Sequence, residues 1–334
     1  MVIKDLLRLS SAATALLVPA SAMAGELTVY TPWPDHQIFA LQDALDAEGM
    51  DIQIEFYRAS GVEMNATFAN EQTAGLAKAD FVMADVDDMA HHKEAGYLLH
   101  RPLPNAADYV PSAIDPDGFW VPLTYSPFFM AYNTNLIAPE DKPTSWADMA
   151  DPRYRNLIAM ADPRTAVAVQ YPLTYWTTVL AEEHGEDEFG WGFIDRLAEQ
   201  EPMLATGHSQ LVDMLIRGEA GIIPIMLNPV LAPLMNGEPV GIALAEEGAP
   251  ISLVAGAVVH NAPNMEDAVR LFDWFASVEG QQFLDDINLP SAHLGIDQVL
   301  PDGTDLRQYN SMRLPVAEDV RASNTERVIA AFGL

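Results

Sequence analysis

The chain has 334 residues, no cysteine, and 48 acidic against 17 basic side chains, a formal net charge of −31. Without cysteine, thiol catalysis and zinc–thiolate sites are excluded. A surface this acidic repels nucleic acid and anionic lipid, so neither is expected as a partner.

Residues 1–24 read as a secretory signal peptide. Lys4 and Arg8 precede an apolar run from Ala12 to Pro19, and Ala22-Met23-Ala24 forms a small-residue cleavage site. The run is too short to span a bilayer, and no cysteine follows to carry a lipid anchor. Cleavage after Ala24 predicts a freely soluble periplasmic protein. The remaining roughly 310 residues suffice for one large or two medium domains.

Short apolar runs then alternate with helical patterns, which predicts an α/β protein. LTVY (Leu27–Tyr30) is a strand, followed by a helix with Ile38, Leu41 and Leu45 on one face and Gly49 at its end. Ile52–Tyr57 alternates as a second strand, Arg58–Gly61 turns, and Val62–Gln72 is helical. Asp80–Ala84 is a buried-strand run and Asp87–Leu98 a helix. Phe119–Tyr132 (FWVPLTYSPFFMAY) is long, apolar and broken by prolines, as a strand crossing between lobes would be. Leu157–Met160 is the next strand, Asp162–Thr165 a loop, and Ala166–Glu183 a helix. Ser209–Arg217 is a helix stopped by Gly218, and Gly221–Leu227 a strand. Ile251–Val259 is a second crossing run, and Met265–Leu284 an amphipathic helix pair.

Two crossings imply a chain that leaves one lobe, builds another and returns. Lobe 1 is expected over 25–126, completed by 251–290. Lobe 2 is expected over 127–250, with 291–334 packing back across both. Open α/β sheets bind ligands beyond the carboxyl ends of their strands, so two such lobes face one another across a cleft.

Four segments carry a resemblance: YSPFFMAYNTNLI, TSWADMADPRYRNLIAMADPRT, QLVDMLIRGEAGI and APNMEDAVRLFDWFASVEGQQFL. In order and spacing they resemble the extracellular solute-binding proteins of family 1, in the branch with ferric-iron-binding and thiamine-binding members. The resemblance covers essentially the whole mature chain. It implies a two-lobed type II periplasmic-binding fold with a central ligand cleft, closing on a small solute and delivering it to a membrane ABC permease. No cofactor is implied and a monomer is expected. The same fold also serves receptors that report a bound solute to a sensor.

Candidate ligand contacts follow the strand ends. Trp33, Asp35 and His36 come after the first strand. An indole face stacks flat or cationic groups and a carboxylate accepts from an amine. Alternatively Pro34 opens a helix, Asp35 favours its dipole and Trp33 packs in the core. Ser60-Gly61 offers backbone N–H groups to an anion, or serves as a plain cap. Asp85 is a contact candidate, with Asp87 as the cap of the following helix. Tyr125 lies in the first crossing, where the resemblance implies a position facing the cleft near the hinge, against the alternative of core packing.

Arg164 and Thr165 follow Ala161-Asp162-Pro163, and DPRT resembles the corresponding segment of thiamine-binding relatives. This makes Arg164 an anion contact, or a partner for one of many carboxylates. Tyr171, Tyr175 and Trp176 share the next helix, where Tyr175 is a cleft candidate against the alternative of core packing. His208 is a further candidate, with Ser209 as an N-cap. Asn228 is expected to end its strand facing the cleft.

Ferric-binding relatives carry adjacent tyrosines after that strand. Here IIPIMLNPVLAPL stands in their place, with no tyrosine between Gly221 and Pro250. This disfavours ferric iron and puts thiamine in doubt, leaving a small zwitterion or organic anion as the expected ligand. His91 and His92, on opposite sectors of one helix, read as surface residues. There is no HExxH, G-x-S-x-G or P-loop, so an enzyme is not expected.

Overall fold

A computed structural model describes residues 26–297, 299–300, 303, 306, 309, 311–312 and 318–333. The expected signal peptide lies outside the described residues. The first elements are β1 (Leu27–Thr31), α1 (Asp35–Ala47), β2 (Ile54–Arg58), α2 (Gly61–Thr73), β3 (Phe81–Asp85) and α3 (Val86–Glu94). Helix α1 buries Ile38, Leu41 and Leu45, the face that the 3.6-residue period predicts. It ends before Gly49, whose φ of 68° is cheap only for glycine.

The chain then forms β4 (Val121–Asn133), β5 (Ala159–Ala161), α4 (Gln170–Thr174), α5 (Ala181–His184), α6 (Gly190–Ala198) and β6 (Met203–Ala205). There follow α7 (His208–Ile216), β7 (Ile222–Met226), α8 (Asn228–Met235), β8 (Val240–Ala243) and β9 (Ala249–Val258). The last elements are α9 (Met265–Phe275), α10 (Val278–Asp286), β10 (Ser311–Met312) and α11 (Glu318–Phe332).

The main sheet runs β2-β1-β3-β9-β4-β7, with β8 on β4 and β10 on β9. Strands β1, β2 and β3 pair in parallel, while β9 lies antiparallel between β3 and β4. The two crossing runs are these long strands. β4 pairs β9 through Pro127, then turns to β7 from Phe128 and to β8 from Met130. Every residue of β4 is buried. A strand covered along its whole length reads as a continuous apolar run, and this one does.

Two hydrophobic clusters flank the crossing. One draws on Leu27 to Tyr125 and Ile251 to Ala292. The other draws on Phe128 to Ala249 together with Leu300, Leu306 and Val328. Trp146, Trp176 and Phe193 centre the second, with ring centroids 5.3 and 5.4 Å apart. Each fully buried ring or branched side chain contributes about 1.5–3 kcal/mol from burial alone.

Four local expectations are corrected. The single helix over 166–183 is broken into a 3₁₀ turn, α4, a π-helical turn (Tyr175–Leu180) and α5. Pro172 has no N–H to give, and the hydroxyls of Thr177 and Thr178 take the carbonyls of Leu173 and Thr174 at 2.8 and 2.6 Å. Both effects loosen the regular ladder. Asp85, not Asp87, caps α3, accepting from the Asp87 N–H at 3.1 Å, because the helix starts one residue earlier than expected. Gly207 occupies the N-cap of α7, which places Ser209 inside its first turn. Asn228 begins α8 with Pro229 after it, and β7 ends at Met226.

Candidate ligand cleft

The carboxyl ends of β1, β2 and β3 lead into Pro32–Pro34, Ala59–Gly61 and Asp85. On the other side β5, β6 and β7 lead into Asp162–Thr165, Thr206–His208 and Leu227–Asn228. The two clusters meet where the Tyr171 hydroxyl donates to Oδ2 of Asp85 at 2.6 Å. Burial pushes the Asp85 carboxyl up to about 6, although both of its hydrogen bonds pull the other way. Burial also raises Tyr171, and the charge of Asp85 adds to it.

Asp88, one turn along α3, accepts from Asn65 Nδ2 at 2.6 Å. Burial raises its carboxyl, and the Arg321 charge on α11 works against that rise. Asn65 Oδ1 pairs with His92 Nε2 at 3.0 Å, and the imidazole stands edge-on to Phe68 at 4.8 Å. His92 is therefore buried, not a surface residue as expected, and burial lowers it to about 4. His91 is exposed.

The proposed contacts fall into three groups. Several belong to the core. Trp33 is 5% exposed and meets Phe275 edge-on at 6.3 Å, so its faces are not free for stacking. Tyr175 is buried and donates to the Glu247 carbonyl at 2.8 Å. Tyr125 is also buried, with its hydroxyl 2.6 Å from that of Ser311.

Others are engaged locally. Arg164 holds the carboxylate of Asp162 through Nε and Nη2 at 2.9 and 2.6 Å, which takes the fork offered to an anion. Asp35 stands 3.5 Å from Arg58, whose Nε donates to the Trp33 carbonyl. Ser60 caps α2 through the Glu63 N–H, and Gly61 is the first helical residue. Thr165 donates to the Thr206 carbonyl at 3.0 Å, tying two strand ends together. Asn228 Oδ1 accepts from Ser126 at 2.7 Å.

Two carry no such engagement among the described residues. His36 is exposed on α1. His208 has both ring nitrogens buried without a hydrogen-bond partner among the described residues, and burial depresses its basicity.

Sequence reading missed Ser126 and the pairing role of Tyr171. A serine inside the apolar run FWVPLTYSPFFMAY was a visible signal, because a buried hydroxyl needs a partner. Tyr171 carried no distinguishing mark beside Tyr175 and Trp176. Among the described residues, no group of three or more His, Asp or Glu side chains could hold a metal ion. None of the described helices is long and apolar enough to cross a membrane.

Two lobes joined by crossing strands, with strand ends converging between them, define a two-lobed periplasmic-binding fold. Residues 77–312 match the family of bacterial extracellular solute-binding proteins, and the chain belongs to it. It is the periplasmic substrate-binding protein of an ABC transporter, and members of this family are transport binding proteins, not enzymes.

A probable ABC transporter periplasmic-binding protein of Sinorhizobium fredii is 24% identical over 276 residues, 80% of this chain and 75% of that one. Iron-bound HitA from Pseudomonas aeruginosa superposes with a TM-score of 0.74 at 17% identity, covering 92% of this chain and 99% of that one. AfuA from Actinobacillus pleuropneumoniae, with fructose-6-phosphate bound, gives 0.70 at 19% identity, covering 92% and 99%.

Proposed function

We propose that the protein captures a small zwitterion between its lobes and hands it to the inner-membrane permease of its importer. The lobes comprise residues 25–126 with 251–290, and 127–250, with α11 packed on the second. It works as a monomer, performs no catalysis and binds no nucleic acid, in keeping with a net charge of −31. The signal peptide is removed after Ala24 during export.

The observation that carries the ligand class is the bonding of Asp85. Among the described residues, this half-buried carboxylate between the lobes accepts from a hydroxyl and a backbone N–H. The basic residue that favoured an organic anion, Arg164, is held by Asp162. A solute with an ammonium group suits Asp85 better than a bare anion does, and its acidic end faces the N–H groups at Ser60-Gly61. Asp85, Ser60, Gly61, Thr165 and His208 are the contacts retained.

HitA holds iron, but this chain lacks tyrosines between Gly221 and Pro250, and phenolates are the hard donors that Fe(III) prefers. Native mass spectrometry of protein purified from the periplasm, before and after unfolding and refolding, tests the reading. An extra mass matching an amine-bearing organic molecule supports it. An iron-sized or purely anionic adduct sinks it.

A further inference from the structure

Asp85 and Tyr171 belong to opposite sides of the molecule. Asp85 closes β3 between Ala84 and Val86, which belong to the cluster built on residues 27–125, while Tyr171 stands on α4 against Phe128, ring centroids 6.2 Å apart, in the other cluster. Their bond is short, 2.6 Å, and its acceptor is a carboxylate. It does not stand alone. Gln170, the neighbour of Tyr171, donates to Thr325 of α11 at 3.0 Å. Asn324 and Val328 fix α11 to the same lobe, through Thr174 at 2.9 Å and through the core. Arg321, one turn before Thr325, acts electrostatically on both Asp88 and Tyr171. The start of α3 thus presents the Asp85 carboxylate to a hydroxyl of the facing lobe, and the charge of Arg321 on that lobe acts on Asp88.

We propose that Tyr171 and Asp85 form a clasp that draws the two lobes together before a solute arrives. A hinged binding protein settles between open and closed forms according to their difference in free energy. A hydrogen bond to a buried charge weights that balance toward the closed form. Solute affinity then depends on the clasp as well as on direct contacts, because a solute that binds the closed form meets a larger population of it. That consequence rests on the solute-binding reading above, whereas the clasp itself does not.

The absence of cysteine makes the test clean. Leu76→Cys and Leu136→Cys, at surface positions 47% and 48% exposed on opposite lobes, accept a pair of spin labels or fluorophores. Interlobe distances are measured on the full-length exported protein after unfolding and refolding have stripped it of solute. The expected result is a substantial closed population in the parent. Tyr171→Phe, which keeps the ring, lowers the closed-to-open ratio about tenfold. Asp85→Asn, whose amide oxygen still accepts, lies between the two. Circular dichroism establishes that each variant is folded.

A stripped parent that is entirely open overturns the clasp, as does a Tyr171→Phe distribution identical to the parent's. Native mass spectrometry of the unstripped samples reports separately on solute carriage. Bound solute with unmoved distances rejects the clasp and leaves the solute-binding reading intact. Moved distances in a protein that carries no solute uphold the clasp by itself.

Discussion

The hydroxyl of Ser126 donates to Oδ1 of Asn228 at 2.7 Å, and its own oxygen accepts the Leu227 N–H at 2.9 Å. Ser126 sits on β4 at the point where that strand leaves β9 for β7. One side chain thus fastens the start of α8 to the strand shared by both lobes. Ser126→Ala strands two groups at a residue 1% exposed, an expected loss of about 1–3 kcal/mol. Thermal melts read this directly, and an unchanged midpoint would show that the helix start finds other partners.

Trp33 separates core from cleft. Its indole is enclosed beside Phe275, so Trp33→Ala opens a cavity and costs about 3–5 kcal/mol. Solute carriage by the molecules that remain folded is expected to persist. A variant as stable as the parent but empty in native mass spectrometry would return this ring to the cleft.

Two buried groups give opposing pH dependences. Asp85 is raised from 3.8 to about 6, so the folded chain holds its proton more tightly than the unfolded chain does. Its contribution to stability therefore falls as pH rises through that window. His92 is lowered from 6.5 to about 4, so its contribution is complete above 6.5 and is lost as pH falls toward 4. Asp85→Asn removes the first of these two effects, and the gain in melting midpoint over the parent should be larger at pH 7 than at pH 4. A gain that is the same at both would mean that Asp85 is not held in this environment. A His92 imidazole titrating near 6.5 by NMR would dispose of the second assignment.

Gly280 marks the junction of α9 and α10. A Cβ there would sit 2.0 Å from the Trp274 carbonyl oxygen, a contact with backbone that no rotamer relieves. Gly280→Ala is expected to destabilise by at least about 1–3 kcal/mol, the range for overpacking. A normal melt would mean that α10 can move away from α9.

The order of strands and helices was legible because period and length agree along the chain. β4 and β9 stood out as apolar runs too long for ordinary strands. The cleft was less legible because side-chain pairing depends on distant residues. Nothing near Trp33 announces Phe275, and nothing near Asp85 announces Tyr171. The pairing of Arg164 with Asp162 was readable in DPRT itself, since residues two apart in a turn face each other when the first bonds the backbone N–H of the second, as Asp162 does at 2.9 Å. Asp85 stood out because its strand end lacked an obvious local role, yet capping α3 is such a role.

The position of β9 between β3 and β4 also governs the order in which the molecule can be completed. A chain grown only as far as residue 240 holds β1, β2, β3 and β4 but lacks the strand that separates the last two. Both would then present a bare edge, and the first cluster would lack Ile251 to Ala292. The second lobe can gather most of its core while the first, though earlier in sequence, still waits for its central strand. Such late, long-range closure is slow to form, so the nascent protein stays open for longest at the end made first.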